Sequence, residues 1–494
     1  MSDPSALNIP INQALTSDML LGLKPAAPKS RSYRISIAPI NKSVFSPADQ
    51  IILELPTGRR GTWLDQSQSY LKFSVQFSST SATTATPGGT GVYLENTAYS
   101  FIQRCDIYHS SNLLETCNEY GQLANFLIDT SLTQSDKAGL SPLIGSNPYF
   151  NSVNSVTPAI ASSVLSTQVP GDRSGLVVAS ATTLAAGIPY TFCLPLLSGV
   201  IGINASKMLP VGKLASPLRV ELYLSALDDA IYYGAGGASA NWQIINVEFN
   251  ACYVELQDDS LDMQMNPGEE EYISTTTYRQ ASTYLPAATS GEFTALIPFR
   301  AASITALYAR FRNFGTASQG VNNSAAYRKS SSINPNMSYF YFRIGSSVYP
   351  NKPVYLVNGS LVGNGSEAYA ELLKSFHALS SSISNTAILY NQYNVAATAT
   401  QGFVANYTPV SKATAAIDTH ANAFAIGIEC QSFSNRNDTI LSGISTLNSQ
   451  IYFTAGINSG QTCGGTNNYN YTIDFFAAMD MVLILRDGVL SARF

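Results

Sequence analysis

Adjacent carboxylates are the residues of this sequence with the plainest chemical potential. Asp228-Asp229, Asp258-Asp259 and the run Glu269 to Glu271 bring acids together. Glycoside hydrolysis needs two carboxylates flanking the scissile bond, one acting as acid and one as base or nucleophile. These acids fall at strand ends or in a polar connecting stretch, where solvated charge is the ordinary state. Asp258, Asp259 and Asp262 form a weak calcium candidate, lacking the spaced oxygens and turn glycine of a calcium loop. His109, His377 and His420 have no ligand-like spacing to one another or to a cysteine, and a zinc site needs at least three converging ligands. They read as ordinary surface or partly buried histidines. Cys105, Cys117, Cys193, Cys252, Cys430 and Cys463 are scattered without a C-x-x-C pair and read as free thiols. No G-x-S-x-G elbow occurs. Gly234 to Gly237 lacks the Lys-Ser/Thr of a phosphate loop. No catalytic, cofactor-binding or metal-ligating residue is assigned, and the chain is expected not to be an enzyme.

Arg59 and Arg60, between Gly58 and Gly61, form a basic bend. Its expected partners are Asp49, Glu54 or Asp65, or a neighbouring subunit, because arginine is favoured at interfaces. The flanking segments, Gln50–Pro56 and Tyr70–Phe77, read as strands paired through this bend.

Charge is sparse. Charged residues make up 12% of the 494 and net charge is −5, about half the charge of an ordinary globular surface. A broad electrostatic footprint on nucleic acid is therefore not expected. Ser, Thr, Asn, Gly and Ala supply a neutral polar surface that suits packing against neighbours. Lys24, Lys29, Arg31 and Arg34 give the N-terminal segment a local positive charge. That segment lacks a signal-peptide pattern. The most apolar stretch, Ile188 to Ile203, is broken by Pro189 and Pro195 and is too short to span a bilayer. Sequons such as Asn322, Asn358, Asn364 and Asn437 carry little weight in so Asn-rich a chain.

Period-two alternation dominates. Leu218, Val220, Leu222 and Leu224 alternate with polar neighbours. So do Ile245 to Tyr253 and Met479 to Leu485, as strands with one buried face do. Two helices are expected, Glu119 to Asp129 and Glu367 to Leu379, the second capped by Ser366. Long Ser/Thr/Ala/Gly-rich stretches (Ser78 to Gly91, Ser141 to Thr182, Gly315 to Ser332, Ser380 to Ala416) exceed hairpin length.

The halves repeat one plan. A strand from Phe101 to Tyr108, a turn at Ser110-Ser111, a short strand and a helix are matched in order. Their counterparts are Tyr339 to Ile344, Gly345 to Ser347, Val354 to Val357 and the helix carrying Glu367 and Tyr369. Gln50–Pro56 matches Glu292–Pro298, Leu218–Leu224 matches Leu447–Phe453, and Val247–Leu256 matches Ala478–Arg486. The reading is all-β with a few short helices, as two tandem sandwiches. The division is 1–31 as an N-terminal arm, 32–262 as the first module and 263–494 as the second. The polar stretch Asp258 to Gly268 is the linker.

Three stretches carry a family likeness. The first is Leu55-Pro56, Thr62 to Asp65 and Ser69 to Phe73. The second is Phe192 to Leu196, Met208 to Val211 and Leu218 to Leu222. The third is Arg343 to Gly345, Tyr349-Pro350, Glu367 to Tyr369, Ile426 to Glu429 and Ser442 to Thr446, where Ser445 stands in place of an expected Asn. In this order they resemble the double jelly-roll major capsid proteins of double-stranded DNA viruses, those of polinton-like viruses and virophages in particular.

The resemblance implies two jelly rolls per chain and a homotrimeric, pseudo-hexameric capsomer of an icosahedral capsid. It also implies localisation in the virion after synthesis in the host cytoplasm or a virus factory. Neighbouring capsomers, and penton and minor capsid proteins reached through the arm Met1 to Ser30, would be its partners. No membrane span and no sequence-specific nucleic acid binding are expected. The alternatives are a viral attachment or carbohydrate-binding sandwich, suggested by the Tyr- and Asn-rich loops, and a β-sandwich glycoside hydrolase.

Overall fold

A computed structural model of the chain describes residues 29–79, 92–146, 177–178, 183–233, 240–256, 270–286, 289–315, 329, 332, 334–335, 337–356, 365–376, 386, 388, 393, 423–431, 441–458 and 470–494.

The first half contributes β1 Ser30–Ile37, β2 Val44–Phe45, β3 Gln50–Leu55, β4 Thr62–Ser79, β5 Val92–Leu94, β6 Ile102–His109 and β7 Asn112–Asn118. Helices α1 Tyr120–Ser131, α2 Gln134–Gly139 and α3 Ser141–Ile144 follow, then β8 Val177–Val178, β9 Tyr190–Leu194, β10 Leu218–Leu224, α4 Leu227–Ala230, β11 Ile231–Tyr233 and β12 Ala240–Leu256. The second half contributes β13 Glu271–Leu285, β14 Gly291–Ile297, β15 Ile304–Gly315, β16 Met337–Ile344 and β17 Ser347–Tyr355. It ends with α5 Ser366–Ser375, β18 Ala425–Glu429, β19 Ile451–Ile457, β20 Asn470–Arg486 and β21 Val489–Arg493.

In the first half the sheet β1-β12-β4-β9 packs on the sheet β3-β10-β6-β7, and in the second β13-β20-β15-β18 packs on β14-β19-β16-β17. With the eight main strands of each half counted in chain order, one sheet runs first, eighth, third, sixth. The other runs second, seventh, fourth, fifth. Both halves follow this order, and every pairing is antiparallel. Strands β5, β8 and β11 form a small extra sheet, and β21 adds to β20.

Alternation sets the inner faces. Leu218, Val220, Leu222 and Leu224 of β10 are buried, while Arg219 and Tyr223 point out. Trp242, Phe77 and Phe101 fill the first core, with Trp242 edge-on to Phe101 at 4.9 Å between centroids. Phe311, Phe342, Phe453 and Phe475 do so in the second. Each such ring stabilises its module by about 1.5–3 kcal/mol on burial. Asp487 and Gly488, both at positive φ, make the tight turn between β20 and β21.

Three expectations need correction. Gln50–Leu55 does not pair with Tyr70–Phe77. Strand β3 pairs with β10, whereas β4 pairs with β12 and β9 in the opposite sheet. The bend at Arg59-Arg60 is a crossing between sheets, with Gly58 and Gly61 supplying its positive φ. The match of Leu218–Leu224 is β19, Ile451–Ile457, four residues beyond the expected Leu447–Phe453. Ile297 pairs with Ile451 as Leu55 pairs with Leu218. The helix cap also differs: Gly365, at φ 86°, precedes α5, and Ser366 is its first residue.

Candidate functional site

The chemistry concentrates where the two modules meet. The β7 side of the first module, with the loop after β9, packs against β13, and helix α1 reaches β15. Glu115 of β7 is buried there and accepts hydrogen bonds from Ser198 Oγ, from the Gly199 N–H (3.2 Å) and from Thr277 Oγ1 of β13 at 2.6 Å. Thr275 Oγ1 donates back to the carbonyls of Gly199 (3.0 Å) and Asn204 (3.1 Å). Helix α1 lays Phe126 between Tyr308 of β15 and Phe376, both with ring centroids at 5.5 Å. Arg310 of β15 donates to the Gln122 carbonyl at 3.3 Å and to its side-chain oxygen at 3.2 Å. Lys329, 5% exposed, bridges Glu119 (3.0 Å) and Asp229 (2.8 Å) of the first module.

His109, expected as an ordinary histidine, belongs to this seam and is fully buried. Its Nδ1 accepts from the Leu490 N–H at 3.1 Å, which leaves the proton on Nε2, 3.1 Å from Ser216 Oγ. Burial lowers its pKa and keeps the ring neutral. The main chain joins in, with the Ala215 N–H donating to the Gly488 carbonyl at 2.9 Å. Only spatial neighbours distinguish His109 from a surface histidine, and no local sequence signal carried that role.

The remaining sequence candidates are not brought together. Asp229 pairs with Lys329. Glu271 pairs with Lys213, and Glu270 with Arg486 at 3.2 Å. Glu269, Asp258, Asp259, Asp262, His377, His420, Cys463, Gly234 to Gly237 and the four sequons lie outside the described residues. Arg59, 85% exposed, pairs with Glu255 at 3.2 Å and not with Asp49, Glu54 or Asp65. Asp49 instead holds Lys42 at 2.9 Å. Cys105, Cys117, Cys193, Cys252 and Cys430 are free thiols. Among the described residues no group of three His, Cys, Asp or Glu could hold a metal, and no helix is long and apolar enough to cross a membrane.

The sequence matches no protein-family model and no curated protein sequence. Its structure is similar to solved ones over nearly its whole length. The mavirus major capsid protein matches at TM-score 0.55 and 12% identity, covering 100% of this chain and 95% of that one. The Faustovirus major capsid protein matches at TM-score 0.57 and 8% identity, covering 96% and 93%. A chain of the PBCV-1 capsid matches at TM-score 0.53 and 10% identity, covering 96% and 99%. The fold is a double jelly roll. Each half is a complete eight-stranded jelly roll, and the seam is the contact between the two.

Glu115 gives the double jelly roll a measurable pH signature. Burial raises its carboxyl pKa, against the hydrogen bonds that lower it. A raised folded-state pKa means full stability below the ordinary carboxylate range, lost as pH rises through the folded value. Glu115→Gln removes that loss. Thermal midpoints followed from about pH 4 to pH 8 are expected to fall more steeply for the native protein than for the variant. Parallel curves would contradict the assignment.

Proposed function

We propose that this chain is the major capsid protein of an icosahedral double-stranded DNA virus, a structural subunit without enzymatic activity. Three copies would make a pseudo-hexameric capsomer from six jelly rolls. The observation that carries this is the repeat of strand order in two modules, in a chain similar end to end to the mavirus and Faustovirus major capsid proteins. The sparse charge of the chain supports it, since a neutral surface is cheap to desolvate against a neighbour.

Within this reading the chain divides into 1–31 as an arm, 32–262 as the first jelly roll and 263–494 as the second. The arm contacts neighbouring capsomers, penton or minor capsid proteins. The protein is made in the host cytoplasm or a virus factory and resides in the virion. Purified protein is expected to sediment as a trimer, three times 52.9 kDa, over a range of salt and concentration, and to show hexagonal tiles in negative stain. A strictly monomeric species would overturn the proposal.

One observation favours a glycan-binding attachment role as a second reading. On the outward face of β14-β19-β16-β17, Tyr339 and Tyr341 stack at 6.5 Å, Tyr339 lies 6.0 Å from Tyr355, and Arg343 sits over Tyr452. Aromatic faces of this kind can stack on sugars. Saturable binding on a glycan array without assembly would select that reading.

A further inference from the structure

We propose that the first jelly roll cross-links itself: Lys137 Nζ forms an isopeptide bond to Asn96 Cγ, with Asp129 moving the protons and ammonia leaving. The inference is independent of the capsid reading and goes beyond it.

The three side chains come from different elements. Asn96 follows β5, at φ 69°. Asp129 lies in the last turn of α1. Lys137 lies in α2, whose start is fixed by a capping box of Thr133 and Asp136. The turn at Asn96 is held on both sides. The Glu95 N–H donates to the Ala230 carbonyl at 3.0 Å, and Thr97 Oγ1 donates to Asn125 Oδ1 of α1 at 2.5 Å. Ser146 Oγ donates to the Lys137 carbonyl.

The geometry suits amide exchange. Lys137 Nζ donates to Asn96 Oδ1 at 2.5 Å. A C=O bond is about 1.23 Å long, so for any ordinary hydrogen-bond angle Nζ lies roughly 2.8–3.7 Å from Cγ. A nucleophile poised for attack sits at about 3–3.5 Å. Asp129 touches both reacting nitrogens, one with each oxygen. Its Oδ1 accepts from Lys137 Nζ at 2.6 Å, and its Oδ2 accepts from Asn96 Nδ2 at 3.3 Å. A plain ion pair needs only the first of these contacts. Asn96 is 0% exposed and Asp129 3%, and the Lys137 side chain is 14% exposed.

Each group has a role. Away from water, a neutral amine and a neutral acid are cheaper to hold than two ions. Asp129 Oδ1 takes a proton from Lys137 and frees the Nζ lone pair. Nζ attacks Cγ, and the Cγ–Nδ2 bond breaks with its electron pair on Nδ2. Asp129 Oδ2 supplies the proton that turns Nδ2 into ammonia. Of the three protons on the Lys137 ammonium, one stays on the new amide, one leaves in ammonia and one remains on Asp129. The step is redox-neutral and consumes no co-reactant. Its product ties α2 to the end of β5 and closes a loop containing β6, β7 and α1. Helix α1 is the one that carries Gln122 and Phe126 into the seam.

Mass spectrometry of the full-length protein tests this. The native mass is expected to be one ammonia below that of the sequence. A tryptic digest is expected to contain a branched peptide joining residues 73–104 to 105–173 through Asn96 and Lys137. Asp129→Asn keeps the side-chain shape but cannot relay the proton. It is expected to be folded by circular dichroism, to lose no ammonia and to give no branched peptide. A native protein at full sequence mass overturns the inference. Ammonia loss without the branched peptide also overturns it, since that marks a succinimide at an asparagine. A branched peptide from Asp129→Asn overturns the role of Asp129. Should that variant not fold, the native digest decides alone, by the presence or absence of the branched peptide.

Discussion

Arg312→Ala is expected to destabilise the protein by about 3–5 kcal/mol, because it strands a buried carboxylate. Arg312 of β15 meets Asp474 of β20 with two N–H groups, Nε to Oδ2 and Nη2 to Oδ1, the latter at 2.9 Å. The two side chains are 8% and 2% exposed. Asp474 also accepts from Ser282 Oγ at 2.9 Å and Gln280 Nε2 at 3.3 Å, but these donors carry no charge. An apolar pair is a different matter. Breaking a buried ion pair costs far more than replacing it, since both desolvation penalties then vanish together. Arg312→Met with Asp474→Leu should therefore recover most of the loss. The denaturant midpoint of each variant measures both effects. A loss below about 1 kcal/mol for Arg312→Ala would mean that the pair behaves as a surface ion pair.

The second large effect is expected at Phe126. Its ring belongs to a helix of the first jelly roll, yet its neighbours Tyr308 and Phe376 belong to the second. The Arg310 guanidinium lies over the same ring at 5.7 Å. Phe126→Ala empties a site 2% exposed, which typically costs about 3–5 kcal/mol. The loss falls on the docking of the two modules, not on either core. Phe126→Leu keeps most of the volume and should restore part of it. Calorimetry checks this directly: the Ala variant should unfold at lower temperature, with the two modules melting apart. An unchanged profile would contradict the packing of α1 on β15.

Much of this architecture was legible in the sequence. Strands β10, β12 and β20 each announce themselves by alternation, and α1 and α5 by an apolar face. The order of these signals, repeated after the midpoint, exposed the duplication. What failed was partner choice. The segment Gln50–Phe77 looked like a hairpin because an apolar run and an alternating run stand either side of a short bend. Both runs are strands, but they lie in opposite sheets.

Periodicity explains both the success and the failure. A period of two states which side chains face a core, and that is a local property of the backbone. It does not state which strand lies alongside, because β3 reaches β10 only across some 160 residues of intervening chain, a closure that depends on the whole sandwich. The same limit moved the match of Leu218–Leu224 by four residues. Arg59 likewise found Glu255, at the far end of β12, in place of an acid nearby in sequence. The sequence by itself determined strands, duplication and a neutral surface. Only the tertiary structure decided that His109, Glu115, Phe126 and Arg310 form one seam, because burial of a polar group is set by what the rest of the chain brings to cover it.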